Sequence, residues 1–239
     1  MMIVTIASFA GAAALECLIR LGAPDRGEGR LPTPIEDLAA GVRFLVRDRP
    51  NVFRLLMFAA ALNFLITGIS AVGFPYTVRT ALGFGATVYG VADGLVGVAG
   101  TVGALVAGLF AAKLTMRRFP AAMAALTACL APQGIAFLLP IGAWARLAAL
   151  VTFTCGTMIA CCFTNLIAIP AIQMSTPEAM TGKVMAMTSA IAMCAQPLGQ
   201  MIYGWAYDRF SVAAVLLATA AAAALLTAAM APLSKRFGC

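Results

Sequence analysis

Long apolar runs constrain the fold of this chain more than any other feature. A bilayer core of about 30 Å is crossed by roughly 20 apolar residues in a helix, and 62% of the residues are hydrophobic while 10% are charged. Soluble domains carry about a quarter charged residues, so a water-soluble core is excluded. We predict an all-α, polytopic membrane helix bundle whose spans cover residues 1–19, 52–78, 86–112, 119–141, 147–171, 184–206 and 212–231.

Lys and Arg collect on one side of these predicted spans. With segment 20–54 placed inside, alternation leaves thirteen of the 16 Lys and Arg residues on the inner side. The outer loops hold only Arg79, Arg146 and Arg209. Because Lys and Arg accumulate in short cytoplasmic loops, the amino terminus is predicted outside and the carboxyl terminus in the cytoplasm. The net charge of +7 then reflects orientation and contact with the lipid bilayer, and nucleic acid is excluded as a partner.

Residues 20–51 form a predicted cytoplasmic linker with a helix of its own. Thr33, Pro34 and Glu36 match a capping box with proline at the first helical position. Apolar residues then recur at helical spacing with charged residues on the other side, which is typical of a helix lying on a membrane surface. Pro50 is expected to end this surface helix.

Two spans differ from the others in composition. Run 86–112 carries small residues at steps of three and four, which favours close approach to another helix, either as a sliding interface or as static packing. The last run, 212–231, is almost entirely Ala, Leu and Val, so we expect it to face lipid on all sides. The small residues are Gly90, Gly94, Gly97, Gly100, Ala104 and Gly108.

A weak internal repeat indicates two three-span groups. Gly108 precedes Lys113 by the same interval that separates Gly204 from Arg209. Two such groups would have opposite topology, as in the inverted repeats of transporters.

These features resemble the carboxyl-terminal half of a major facilitator superfamily transporter, in the branch of bacterial drug and siderophore exporters. The similar segments are 36–47, 61–64, 177–184, 197–199 and Gly204 with 208–210. The resemblance implies that 1–19 is an orphan transmembrane helix left from the amino-terminal half. It implies that 52–239 is a six-helix bundle of 3+3 inverted repeats, with a missing amino-terminal half or a second subunit as partner.

The same resemblance implies proton-coupled export of drug-like or amphipathic small molecules across a bacterial inner membrane, without a cofactor. Its cytoplasmic loop motif corresponds to Gly108, Lys113, Arg117 and Arg118, but Ala112 replaces the acidic member. The basic residues are therefore expected to orient the chain rather than to relay charge. The resemblance also implies that spans 52–78 and 147–171 line a central cavity while 119–141 and 212–231 lie outside. Gln133, in an outer span, has no place in that scheme.

Rare polar residues within the apolar spans are the candidate site. An acid near a helix centre costs roughly 2.5–3.5 kcal/mol, and Asp93 lies about 10 Å from the outer end of its span. Two roles remain open for it: binding of a proton or cationic substrate, or a hydrated structural acid. The predicted substrate and proton pathway comprises Asp93, Asn63, Gln196, Gln200 and Tyr203.

Enzymatic and metal functions find little support. The chain has no histidine, and Gly182-Lys183 lacks the other residues of a phosphate-binding loop. Cys161 and Cys162 lack the partners that a zinc site needs. We predict neither catalysis, metal nor cofactor. The alternative to transport is a truncated chain or a non-transporting membrane scaffold that binds a partner.

Overall fold

The computed structural model describes residues 2–18, 43, 47 and 49–236. The chain divides into two units, Met1–Glu36 and Asp37–Cys239. In the first, helix α1 covers Met2–Leu18, within the predicted first span. The predicted surface helix, with Thr33, Pro34 and Glu36, lies outside the described residues.

The described part of the second unit is helical, and its helices agree closely with the predicted runs. Pro50 stands at the first position of α2 and Pro120 opens α4, where a missing backbone N–H costs nothing. Gly83, two residues after the end of α2, has a φ of 72°, a conformation that favours glycine. The helices are α2 (Pro50–Ala81), α3 (Ala86–Leu109), α4 (Phe119–Leu138), α5 (Ala143–Met174), α6 (Glu178–Arg209) and α7 (Val212–Arg236).

Five of these helices, α2 to α5 and α7, are long and apolar enough to cross a membrane. That is the pattern of a multi-pass membrane protein. Helix α1 has 17 described residues, at the lower end of the range for a membrane span. Helix α6 has 32 residues, but Gln196, Gln200 and its charged ends make it less apolar than the other five.

Helix α4 is a packing partner of two other helices in the unit. It packs against both α5 and α7, while α3 packs on α5 and α6 packs on α2. Phe119, Met123, Leu126 and Leu130 of α4 are almost completely buried. Phe119 also meets Phe58 of α2 edge to face, with ring centroids 5.7 Å apart, an arrangement that aromatic pairs favour.

Gln133 joins α4 to α5 through hydrogen bonds. These bonds give a structural role to an amide that the scheme of inner and outer spans did not explain. It is 1% exposed. Its Nε2 donates to Cys129 O at 3.2 Å and to Thr157 Oγ1 at 3.3 Å, and Thr154 Oγ1 donates to its Oε1 at 3.5 Å. A buried amide with partners for both ends carries little desolvation cost.

Helices α2 and α6 meet through glycines and tyrosines. Tyr203 packs against Gly68, and the hydroxyl of Tyr207 would lie 2.6 Å from a methyl group built on Gly73. The two tyrosines are four residues apart, whereas the glycines are five apart. The π-helical turn Ile69–Gly73 accommodates that difference, because its hydrogen bonds span five residues instead of four.

Two sequence-based expectations do not match the described helices. A methyl group built on Gly90, Gly94, Gly97, Gly100 or Gly108 meets nothing within 4 Å, so these glycines are not where α3 packs most closely within the chain. The close contact of α3 with α5 occurs instead at Gly103, which lies against the backbone of Ile159.

Helix α7 does not face lipid on all sides either. Thr219 and Ala223 are buried, and Thr227 Oγ1 lies 3.2 Å from Thr127 Oγ1 of α4. Alanine dominates this helix because small side chains fit close to α4, and an apolar composition alone does not distinguish that face from the lipid-facing one.

The contact of α2 with α6 predicts a position-dependent effect of glycine substitution. A methyl group on Gly199 would lie 2.5 Å from the carbonyl oxygen of Phe64, so we expect Gly199→Ala to destabilise the bundle by about 1–3 kcal/mol. The measurement is the midpoint of unfolding in detergent. Gly204→Ala, in the same helix with nothing within 4 Å, is the matched control, and equal midpoints for the two variants would contradict the contact.

Candidate functional site: a polar face on α2, α3, α5 and α6

Asn63 of α2 and Asn165 of α5 line the same small cavity, whose volume is about 50 Å³. Asn63 Nδ2 donates to Ala59 O at 3.0 Å, and Asn165 Nδ2 donates to Cys161 Sγ at 3.6 Å. Among the described residues, neither side-chain carbonyl oxygen has a hydrogen-bond donor. The cavity is large enough for water, and these oxygens offer it acceptors.

Asn165 also faces a larger cleft on the other side, between α5 and α3. The cleft measures about 340 Å³ and is lined by Asn165, Cys162 and Ala104 among others. The Cys162 thiol donates to the carbonyl oxygen of Gly100 at 3.5 Å. Asn165 thus connects the side of α5 that faces α2 with the side that faces α3.

Asp93 lies on the same face of α3 as this cleft. It precedes Gly97, Gly100 and Ala104 by four, seven and eleven residues, which places all four on one side of a helix. Asp93 is exposed, and the structure gives it no ion-pair partner among the described residues. The stripe of small residues therefore flanks an acid and leaves the helix surface around it open.

Gln200 of α6 and Asn63 of α2 lie outside the groove against α7. Ile202 and Leu65 line this groove. Each is two residues from its polar neighbour, about 200° around the helix, and neither Gln200 nor Asn63 lines that groove. Gln196 lies one turn before Gln200 and is half-buried, while Gln200 is exposed.

Asn63 and Asn165 share one cavity, Asn165 and the Asp93 side of α3 flank one cleft, and Gln196 and Gln200 lie outside the groove against α7. These five polar residues form one candidate surface. We call this surface the polar face; it consists of Asn63, Asp93, Asn165, Gln196 and Gln200. The described contacts include no hydrogen bond between any two of them. Asn165 lies within the predicted span 147–171, so the rarity of polar residues in apolar spans, which selected the other four, could have selected it as well.

Tyr203 has a different environment. It is 5% exposed, and its hydroxyl lies 2.7 Å from Thr219 Oγ1 of α7. Thr219 in turn donates to Val215 O at 2.8 Å. This hydrogen-bonded position between α2, α6 and α7 makes Tyr203 a packing residue in the described structure.

The loop after α3 carries the predicted motif residues on two short 3₁₀ turns, Ala111–Lys113 and Met116–Arg118. Gly108, Lys113, Arg117 and Arg118 are exposed. Met116 and Phe119 are buried and anchor the loop, and the Arg118 N–H donates to Thr115 O at 2.8 Å. The basic side chains are thereby held at the surface of one end of the bundle.

Comparisons with protein-family models, curated proteins and solved structures find no match to this chain. Within the described residues, no group of three or more Cys, Asp or Glu side chains has a geometry that would hold a metal ion. The chemistry that the polar face offers is therefore hydrogen bonding by amides and one ionisable carboxyl group, on helices that are otherwise apolar.

The polar face predicts selective water access. Polar residues in spans face the protein interior or a water-filled cavity rather than lipid. In a variant without native cysteines, we expect Gln200→Cys to react with a water-soluble maleimide at least ten times faster than Leu225→Cys. Leu225 of α7 is 72% exposed and serves as the lipid-facing control. Similar labelling rates in intact vesicles would exclude a water-filled face at Gln200.

Proposed function

We propose that this chain forms one wall of a pathway for secondary active transport of small amphipathic molecules across a bacterial inner membrane. The supporting observation is the polar face. Its amide groups and Asp93 lie on the open side of helices whose composition suits lipid. Since polar groups are costly in hydrocarbon, such a surface is suited to water, substrate or a second bundle.

The residues of the polar face have different proposed roles. Asn63, Asn165, Gln196 and Gln200 are neutral donors and acceptors, so they suit a substrate with few hydrogen-bonding groups and a large apolar part. Asp93 is the one acid on this face. We assign it the proton or the cationic part of the substrate, because a carboxyl group alternates between a neutral and an anionic form.

The resemblance to the carboxyl-terminal half of a facilitator transporter supports this proposal. It gives a reason for the open face, because such transporters place the substrate between two halves. The second wall would come from an amino-terminal half or a second subunit. With the basic end inside, the carboxyl terminus would be cytoplasmic and the amino terminus outside.

A second candidate function is a non-transporting scaffold that binds another membrane protein. The open stripe of small residues on α3 favours it, because small residues allow close helix packing in lipid. Under this alternative Asp93 would contact the partner instead of a substrate. Transport measurements separate the two functions.

The transport proposal predicts a requirement for Asp93. Membrane vesicles from cells that express the chain are energised with a proton gradient, and uptake of a fluorescent amphipathic cation is followed. Asp93→Asn is expected to reduce gradient-driven uptake at least tenfold, because the amide cannot be protonated and deprotonated. Asp208→Asn is the matched control, since Asp208 is exposed in the last turn of α6, and should leave uptake unchanged.

Two results would overturn the proposal. Uptake by Asp93→Asn at the parental rate would remove the role of the carboxyl group. Abundant chain in the membrane with no uptake above that of vesicles lacking it would favour the scaffold.

A further inference from the structure

An apolar groove separates the beginning of α2 from the end of α7. It is lined by Phe53, Met57 and Phe58 of α2 and by Leu226, Ala229 and Met230 of α7, with Arg54 as its one charged lining residue. Its volume is about 360 Å³, within the range of small-molecule pockets. We call it the Arg54 groove.

The groove lies at the basic end of the bundle. Val52, Phe58, Met116, Phe119 and Met230 share one buried cluster. This cluster places the start of α2, the 3₁₀ turn Met116–Arg118 and the end of α7 at the same end. Exposed cations of that end include Arg49, Arg54, Arg117 and Arg118.

The acidic side chains that the structure describes lie toward the other end. Asp93 follows the start of α3, directly after α2 has ended, and Asp208 is in the last turn of α6. Arg54 is exposed and has no anionic partner among the described side chains. It stands in the second turn of α2, near the amino-terminal end of that helix.

We propose that the Arg54 groove binds one anionic phospholipid of the surrounding bilayer. An acyl chain fills the space between α2 and α7, and the phosphate contacts the Arg54 guanidinium, which binds phosphate through two parallel hydrogen bonds. Basic pockets between membrane helices recognise anionic headgroups in this way. The site is independent of the proposed transport function, because it needs only a membrane-spanning chain.

A second groove of the same molecule serves as an uncharged control for headgroup preference. The groove between α2, α6 and α7 at the other end has a volume of about 380 Å³ and no charged lining residue. Lipid chains can enter both grooves through their apolar walls. A preference for anionic headgroups is expected only at the Arg54 groove.

Tryptophan fluorescence quenched by brominated lipids tests this proposal. Trp144 and Trp205 are in the first turn of α5 and near the end of α6, away from the basic end. Met57→Trp, with both native tryptophans replaced by Phe, reports on the Arg54 groove; Met57 is 48% exposed, so the larger side chain fits. A second variant retains Trp205 as its sole tryptophan and reports on the other end.

Both variants are placed in phosphatidylcholine vesicles containing brominated phosphatidylglycerol or brominated phosphatidylcholine. At position 57 we expect phosphatidylglycerol to bind about five times more strongly than phosphatidylcholine. The ratio should fall to about one in Arg54→Gln and stay unchanged in Arg209→Gln, which removes a cation from the other end. At Trp205 the ratio should be about one.

Three results would each overturn the proposal. A ratio near one at position 57 would mean ordinary boundary lipid. An unchanged preference in Arg54→Gln would assign the selectivity to the basic end as a whole. An equal preference for phosphatidylglycerol at Trp205 would show that the lipid selectivity does not depend on the Arg54 groove. Circular dichroism of each variant establishes that its helices are intact before the ratios are compared.

Discussion

The cost of a polar group in hydrocarbon organises this bundle. Inside the unit, threonine hydroxyl groups avoid that cost by donating a hydrogen bond to the backbone carbonyl four residues earlier. Such a bond satisfies the hydroxyl without a partner on another helix. Thr157, Thr164, Thr188, Thr219 and Thr227 all do so at 2.8–2.9 Å. Amides cannot be satisfied so fully by their own helix. Gln133 finds its partners on α5, whereas the amides of the polar face retain unused groups, and this difference distinguishes a structural polar residue from a candidate functional one.

Close packing follows from the second property of the sequence, its wealth of small residues. Without a hydrophobic force between helices in lipid, association depends on close contact. Gly103 and Gly199 allow two backbones to approach, at Ile159 and Phe64. Gly90, Gly94, Gly97, Gly100 and Gly108 of α3, by contrast, have room for a methyl group. Glycine spacing therefore indicates a capacity for close packing, and the surrounding helices determine where that capacity is used.

Much of the helical framework could be predicted from the sequence, because apolar runs, Pro50, Pro120 and the intervening loops carry local signals. The predicted run 86–112 and the observed Ala86–Leu109 differ only at one end. The side of each helix that packs against its neighbours could not be predicted so well. The stripe of α3, the buried side of α7 and the position of Tyr203 all depend on neighbours distant in sequence. Gln133 and Asn165 are both amides in apolar spans, and only their packing against α5, α2 and α3 separates their roles.

The wide turn Ile69–Gly73 has a consequence for how α2 distributes its polar side chains. In a regular α-helix, Thr77, fourteen residues after Asn63, would lie within about 40° of it and extend the same surface outward. One additional residue in a turn rotates everything beyond it by about 100°. Thr77 is accordingly buried beside Tyr207, while Asn63 faces the cavity with Asn165. The π turn thus rotates the outer part of α2 relative to the inner part, so that a single helix presents an amide to a cavity at one depth and a buried hydroxyl to a packed contact at another.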